Sequence, residues 1–140
     1  MIRWPKVIKP GSTSNELVMN IDLAQTLLEV AGLPIPAEMQ GQTMLPVLRG
    51  EQPASPRKYV YYQYYESEGE HAVAKHVGIR SDTYKLIHFY ENHEWELFDL
   101  KKDPSEMNNV YGDARYKGVV EEMKKELENQ MKRYQDSYER

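Results

Sequence analysis

"KHVGIRSDTYKLIHFY", Lys75 to Tyr90, is the stretch on which the reading of the fold turns. Val77 and Ile79 alternate with His76, Gly78 and Arg80, the two-residue period of a strand with one dry face. Ser81-Asp82-Thr83 is a turn. Tyr84 to Tyr90 alternates again, with Leu86 on one face and Ile87 and Phe89 on the other. So short a connection joins antiparallel neighbours. The stretch is therefore a hairpin, and it carries a histidine and an arginine on one face.

Two more strands flank it. Lys58 to Tyr65 is aromatic-rich, and the histidine strand reaches back to Ala72. Glu91-Asn92-His93 is a second turn, and Trp95 to Asp99 is a short last strand. Four consecutive strands with short connections form an antiparallel meander. Eleven tyrosines, clustered in "YVYYQYY" and recurring later, suit aromatic pairs across such a sheet. Asp103-Pro104 breaks the chain. A long helix follows from Ala114 to Tyr134, with Tyr116, Val120, Met123, Leu127, Met131 and Tyr134 close to one stripe. Such a helix is expected to lie on one face of the sheet.

The N-terminal part reads differently. Ile2-Arg3-Trp4-Pro5 resembles the end of a strand, as in a domain cut from a larger protein, and no charged-then-apolar leader is seen. Asp22 with Gln25 three residues later is a capping-box pattern. Leu23, Leu27 and Val30 share a helical face, and Gly32 and Pro34 end the helix, which is predicted at 23–31. Met44 to Leu48 reads as a helical turn, and Gly50 to Arg57 as a surface loop. The fold class is α+β, divided into 1–56 and 57–140.

Composition narrows function. The chain has 140 residues, a net charge of −4, and no basic footprint for nucleic acid. No apolar run reaches the length of a membrane span. There is no cysteine, so disulfides, cysteine metal sites and a thiol nucleophile are excluded. The four histidines, His71, His76, His88 and His93, form no helical i, i+4 pair. His88 is placed opposite His76 across the hairpin, but two ligands make no zinc site. No G-x-S-x-G elbow and no glycine-rich phosphate loop is present. His76 and Arg80 remain. They share a strand face about 13 Å apart at roughly 3.3 Å per residue, and Gly78 between them leaves room for something to approach. Arg offers a fork for an anion, and His a neutral or charged donor. A solvent-facing wall with Arg80 paired to Asp82, Glu66 or Glu96 accounts for the same residues. The residues by themselves give no complete catalytic set.

Several blocks in order carry a resemblance. "IRWPKVIKPGSTSNELVMNIDLAQTLLEVAGLPIPAEMQGQTMLPVLRG" is similar to a sulfatase segment with R-W-P, N-I-D-L-A-P-T-L-L and M-Q-G-x-S-L-L-P-L-L. "HVGIRSDTYKLIHFY" and "WELFDLKKDPSEMNNVYGD" resemble the pattern G-[VI]-R-[TS]-x-x-Y-K-L-I, then W-E-L-[YF]-D-L-x-x-D-P-x-E-x-x-N. The chain thus resembles the C-terminal part of a sulfatase of the alkaline-phosphatase-like superfamily, closest to those acting on glucosamine 6-sulfate and similar to iduronate sulfatases and heparan sulfamidases. Gln25 stands where that pattern has proline.

The resemblance implies that residues 1–56 are the tail of a sulfatase α/β domain and 57–140 its C-terminal sheet and helix. It implies formylglycine and calcium in an N-terminal half of the parent. This chain has no C/S-x-P-x-R motif, so no catalytic residue and no cofactor is carried over. It implies His76, Arg80 and His71 as contacts to a sulfated saccharide in the parent's cleft. It also implies that Ile2, Trp4, Leu17 and the helix at Leu23 pack on the missing domain; uncovered, they would favour self-association. The compartment is open, periplasmic or secreted by family analogy. The alternatives are a stand-alone module binding a sulfated glycan or a partner subunit, and an assembly protein without ligand affinity.

Overall fold

The computed structural model describes residues 1–66 and 73–137. It comprises two compact units, Met1–Lys58 and Tyr59–Arg140.

The first unit holds two short helices, α1 (Asp22–Val30) and α2 (Leu45–Leu48). The helical turn expected at Met44–Leu48 is α2, opened by Pro46 in its first turn. Ile2–Trp4 pairs with no strand among the described residues of this unit, and a turn follows it, in which the Trp4 carbonyl accepts from the Val7 and Ile8 N–H groups. The capping box is corrected, since no side chain caps α1. The Asp22 carboxylate turns back instead. It accepts the Met19 N–H at 2.7 Å, the Gln42 N–H at 2.8 Å, and both terminal nitrogens of Arg57 at 2.5 and 2.7 Å. Arg57 therefore does not end a surface loop; its side chain is 7% exposed and that of Asp22 1%. Thr26 Oγ1 bonds the Asp22 carbonyl and accepts from the Met44 N–H, which ties α2 to α1.

One consequence is an inverted helix. Asp22, Gln25 and Thr26 are buried, while Leu23, Leu27 and Val30 are exposed, as are Leu33 and Ile35 beyond the helix. The apolar stripe seen in the sequence faces away from its own unit.

The second unit is the expected meander, β1 (Val60–Tyr64), β2 (His76–Arg80), β3 (Tyr84–Phe89) and β4 (Glu94–Asp99), in the order β1-β2-β3-β4 and antiparallel throughout. The strands are shorter than the alternation predicted, because β1–β2 pairing ends at Tyr64 opposite His76. The helix α3 (Lys117–Tyr134) follows a 3-10 turn at Ala114–Tyr116. The core joins Tyr61, Val77, Ile79, Leu86 and Leu97 to Met123 and Leu127, so α3 covers the face carrying the odd residues of β2. A loop shields the outer edge of β4. Asn109 Oδ1 accepts the Leu97 N–H, its Nδ2 donates to the Trp95 carbonyl, and the Val110 N–H donates to the Leu97 carbonyl.

His88 is not opposite His76. It pairs with Val77 and lies on the α3 side. Its ring stacks on Trp95 at 3.8 Å, and Lys124 of α3 holds its ammonium 4.1 Å from the Trp95 centroid. Burial, then Lys124 and His93, push the His88 pKa below its ordinary value.

Two predictions follow from these contacts. Burial pushes the Asp22 carboxyl up, but the Arg57 guanidinium and the Gln42 and Met19 N–H groups outweigh it and hold the pKa below the ordinary value. Asp22→Asn should cost about 3–5 kcal/mol by leaving Arg57 buried without its counter-charge. Asp22→Asn with Arg57→Met should recover part of that loss in denaturant melts. In the unsubstituted chain the carboxylate's contribution is present in full above pH ~4 and is lost as pH falls through the lowered folded pKa. His88 behaves likewise at a higher pH. Its folded pKa lies below the unfolded value of about 6.5, so its stabilising effect is present above that value and lost as pH falls through the folded one. Melting temperature should drop between pH 7.5 and 5, and His88→Phe, which keeps a ring on Trp95, should flatten that part of the slope.

Candidate functional site

The face of the sheet opposite α3 carries Tyr62 and Tyr64 of β1, His76, Gly78 and Arg80 of β2, and Ile87 and Phe89 of β3. Register builds it. Tyr64 stands opposite His76 and Tyr62 opposite Gly78. The His76 ring stacks on Tyr64 at 5.5 Å and 22°, tilts against Phe89 at 5.2 Å, and meets Tyr62 edge-on at 5.8 Å. Its Nδ1 lies 2.9 Å from the Ala74 carbonyl oxygen. The imidazole is half-buried in an aromatic cage.

Gly78 does not leave room for a ligand. A Cβ there would overlap the Tyr62 ring, so the space is already filled by the protein's own side chain. The Tyr62 ring is half-buried where it lies over Gly78. Burial, then the carboxylates of Glu106 and Glu96, push its hydroxyl pKa upward. Lys85 on the same face pairs with Glu106 at 2.5 Å.

Arg80 is exposed at the far end of β2 and, among the described residues, makes no ion pair with Asp82, Glu66 or Glu96. The structure therefore puts His76 and Arg80 on one face without bringing them together. His71 lies outside the described residues. The reading of the sequence missed Tyr62, Tyr64 and Phe89 as the walls around His76. The signal was present in "YVYYQYY", and the register was needed to use it.

A second concavity sits on the helix-bearing face, about 600 Å³, lined by Gln63, Tyr65, Lys75, Tyr90, Glu91 and Asp136. Lys75 and Glu91 pair at 2.8 Å, and Asp136 accepts the Tyr61 hydroxyl at 2.6 Å. Its carboxylates outnumber its one cation, so it is poorly matched to an anion. No three His, Asp or Glu side chains converge to hold a metal among the described residues.

Gly78→Ala should push Tyr62 off the sheet and release His76 from its cage. The expected readouts are a loss of stability of roughly 1–3 kcal/mol from overpacking and a changed ring-current shift at His76. Alanine at Gly112, where a Cβ meets nothing within 4 Å, is the control.

Comparison with known proteins places the chain. Residues 1–133 match the family described as N-sulphoglucosamine sulphohydrolase, C-terminal. An N-acetylglucosamine-6-O-sulfatase of Bacteroides thetaiotaomicron is 48% identical over 140 residues, which take in 98% of this chain and 25% of that protein. A Δ4,5-hexuronate-2-O-sulfatase of the same organism is 35% identical over 118 residues, 84% of this chain and 24% of that protein. A solved structure of a protein in complex with its substrate D-glucosamine-2-N,6-O-disulfate superposes with a TM-score of 0.92 at 47% identity, over 97% of this chain and 28% of that one. The chain spans about a quarter of the length of these relatives. It belongs to the sulfatases, as a C-terminal domain of the N-sulphoglucosamine sulphohydrolase family.

Proposed function

We propose that this domain completes a sulfatase that hydrolyses sulfate esters of aminosugars in glycosaminoglycans, and that by itself it is inactive. The observation that carries the reading is the match to an N-acetylglucosamine-6-O-sulfatase along 98% of the chain. The inverted α1 supports the second half. Its exposed Leu23, Leu27 and Val30 form an apolar stripe suited to a further domain.

The chemistry points the same way. A sulfatase of this superfamily works through formylglycine and calcium. The side chains here do not fit either group: the chain has no cysteine and no S-x-P-x-R serine, and no metal cluster exists among its described residues. In this reading both belong to the catalytic portion of the protein. The present domain contributes sugar contacts, with His76 held in its aromatic cage as the leading one, Arg80 as a donor fork further along the strand, and His71 as a third.

The test is a chimera. The chain replaces the matching quarter of the Bacteroides N-acetylglucosamine-6-O-sulfatase. Turnover of glucosamine 6-sulfate by the chimera, with none by the 140-residue chain alone, is the expected outcome. Hydrolysis by the isolated chain, or a well-folded but inactive chimera, would sink the proposal. In an active chimera, His76→Ala should raise KM by roughly tenfold, about the worth of one hydrogen bond.

A further inference from the structure

The hydrogen bond at His76 fixes more than the ring's position. A carbonyl oxygen only accepts, so the Nδ1 facing Ala74 must carry the proton. In the neutral ring Nε2 is then a bare lone pair, an acceptor with no hydrogen of its own. Nε2 takes no partner among the described residues. Turning the ring over would place a carbon against the Ala74 oxygen and lose the bond. Tyr64, Phe89 and Tyr62 confine the ring on its faces and edge. The tautomer and the orientation are therefore locked together.

We infer that His76 is a fixed hydrogen-bond acceptor that reads a hydroxyl or N–H group of the saccharide, and not a sulfate. The inference rests on the sugar-contact role proposed above and specifies its chemistry. Sulfate oxygens only accept, so a sulfate placed at Nε2 would set lone pair against lone pair. A hydroxyl or amine there donates into it. The division of labour along β2 is then clear. His76 is an acceptor, and Arg80, about 13 Å along the strand, offers donors alone. A site built to take a hydrogen discriminates strongly against a ligand that lacks one, because its own polar atom is left unpaired. His76 would thus select for an unsulfated position on the sugar.

The test is nitrogen NMR on the 140-residue chain labelled with ¹⁵N-histidine, with His76 assigned by the signals lost in His76→Gln. Without ligand, the expected pattern is a protonated Nδ1 and a lone-pair Nε2. The opposite tautomer would overturn the inference and leave the sugar-contact role standing. D-Glucosamine-2-N,6-O-disulfate is then titrated at millimolar concentration into the chimera, labelled in the same way and with its formylglycine precursor replaced by alanine so that the catalytic portion completes the cleft and the sulfates stay on the sugar. Saturable movement of Nε2 in the hydrogen-bonded direction, with the ring still neutral, is the supporting result. Conversion of the ring to imidazolium on binding would mean that it faces a sulfate, which overturns the inference alone. No change at His76 would overturn both the inference and the sugar-contact role. His76→Asn, whose amide can keep the bond to the Ala74 carbonyl, should weaken binding of the same probe roughly tenfold; unchanged affinity would count against Nε2 as the contact.

Discussion

The Tyr62 ring can lie flat against β2 only because position 78 has no side chain. That one contact sets the second face of the sheet. With Tyr62 opposite Gly78, Tyr64 falls opposite His76, and Val77 and Ile79 fall to the α3 side. A slip of one residue would exchange the faces, burying histidine and arginine under α3 and exposing the valine and isoleucine. The hydrophobic pattern forbids the slip, and the ring over the glycine reinforces the register that remains. The tautomer of His76 is a late product of the same constraint. Its cage comes from β1 and β3, while its hydrogen bond comes from residue 74, just before β2 begins.

In the first unit the corresponding constraint is Asp22 with Arg57. A buried ion pair is weak as a net stabiliser, because both groups lose their water. Here the carboxylate also satisfies two backbone N–H groups, from Met19 before the helix and Gln42 after it. Three separate stretches of chain therefore converge on one side chain. The cost is orientation. Bringing Asp22 inside carries Gln25 and Thr26 inside with it and turns Leu23, Leu27 and Val30 out. The Gln25 position adds to this: Gly41 approaches so closely that a Cβ would meet Gln25 Oε1 and the Ile21 carbonyl.

Most of the meander was legible because each strand has one dry face, and a period of two survives in the sequence whatever the partners are. The long helix was legible for the same reason at its own period. The rest required pairing information that no local pattern carries. Asp22 and Gln25 have the spacing of a capping box, yet the carboxylate's partners come from positions 19, 42 and 57. A glycine within a strand signals a close approach, but the sequence does not say whether a ligand or the neighbouring strand's own ring makes it. The placement of His88 opposite His76 failed on a register offset of a single residue, which also changes the face. Family resemblance supplied the fold's context, and it could not have revealed which ring nitrogen of His76 faces the Ala74 carbonyl.

The exposed stripe of α1 can be weighed. Leu23, Leu27 and Val30 are 49%, 68% and 42% exposed, so about half of each side chain remains to be covered. Covering half of such a side chain contributes about 1 kcal/mol. Three together give roughly 3 kcal/mol, a substantial share of the 5–15 kcal/mol by which a whole domain is stable. A helix that buries polar groups inward through an ion pair and presents leucines outward is therefore incompletely buried as it stands. A catalytic domain in the proposed sulfatase would supply the missing cover, and so would any other apolar surface, including a second copy of the chain. Self-association of the isolated domain and its docking in a larger enzyme are then two outcomes of the same uncovered area, separated only by which apolar surface reaches it first.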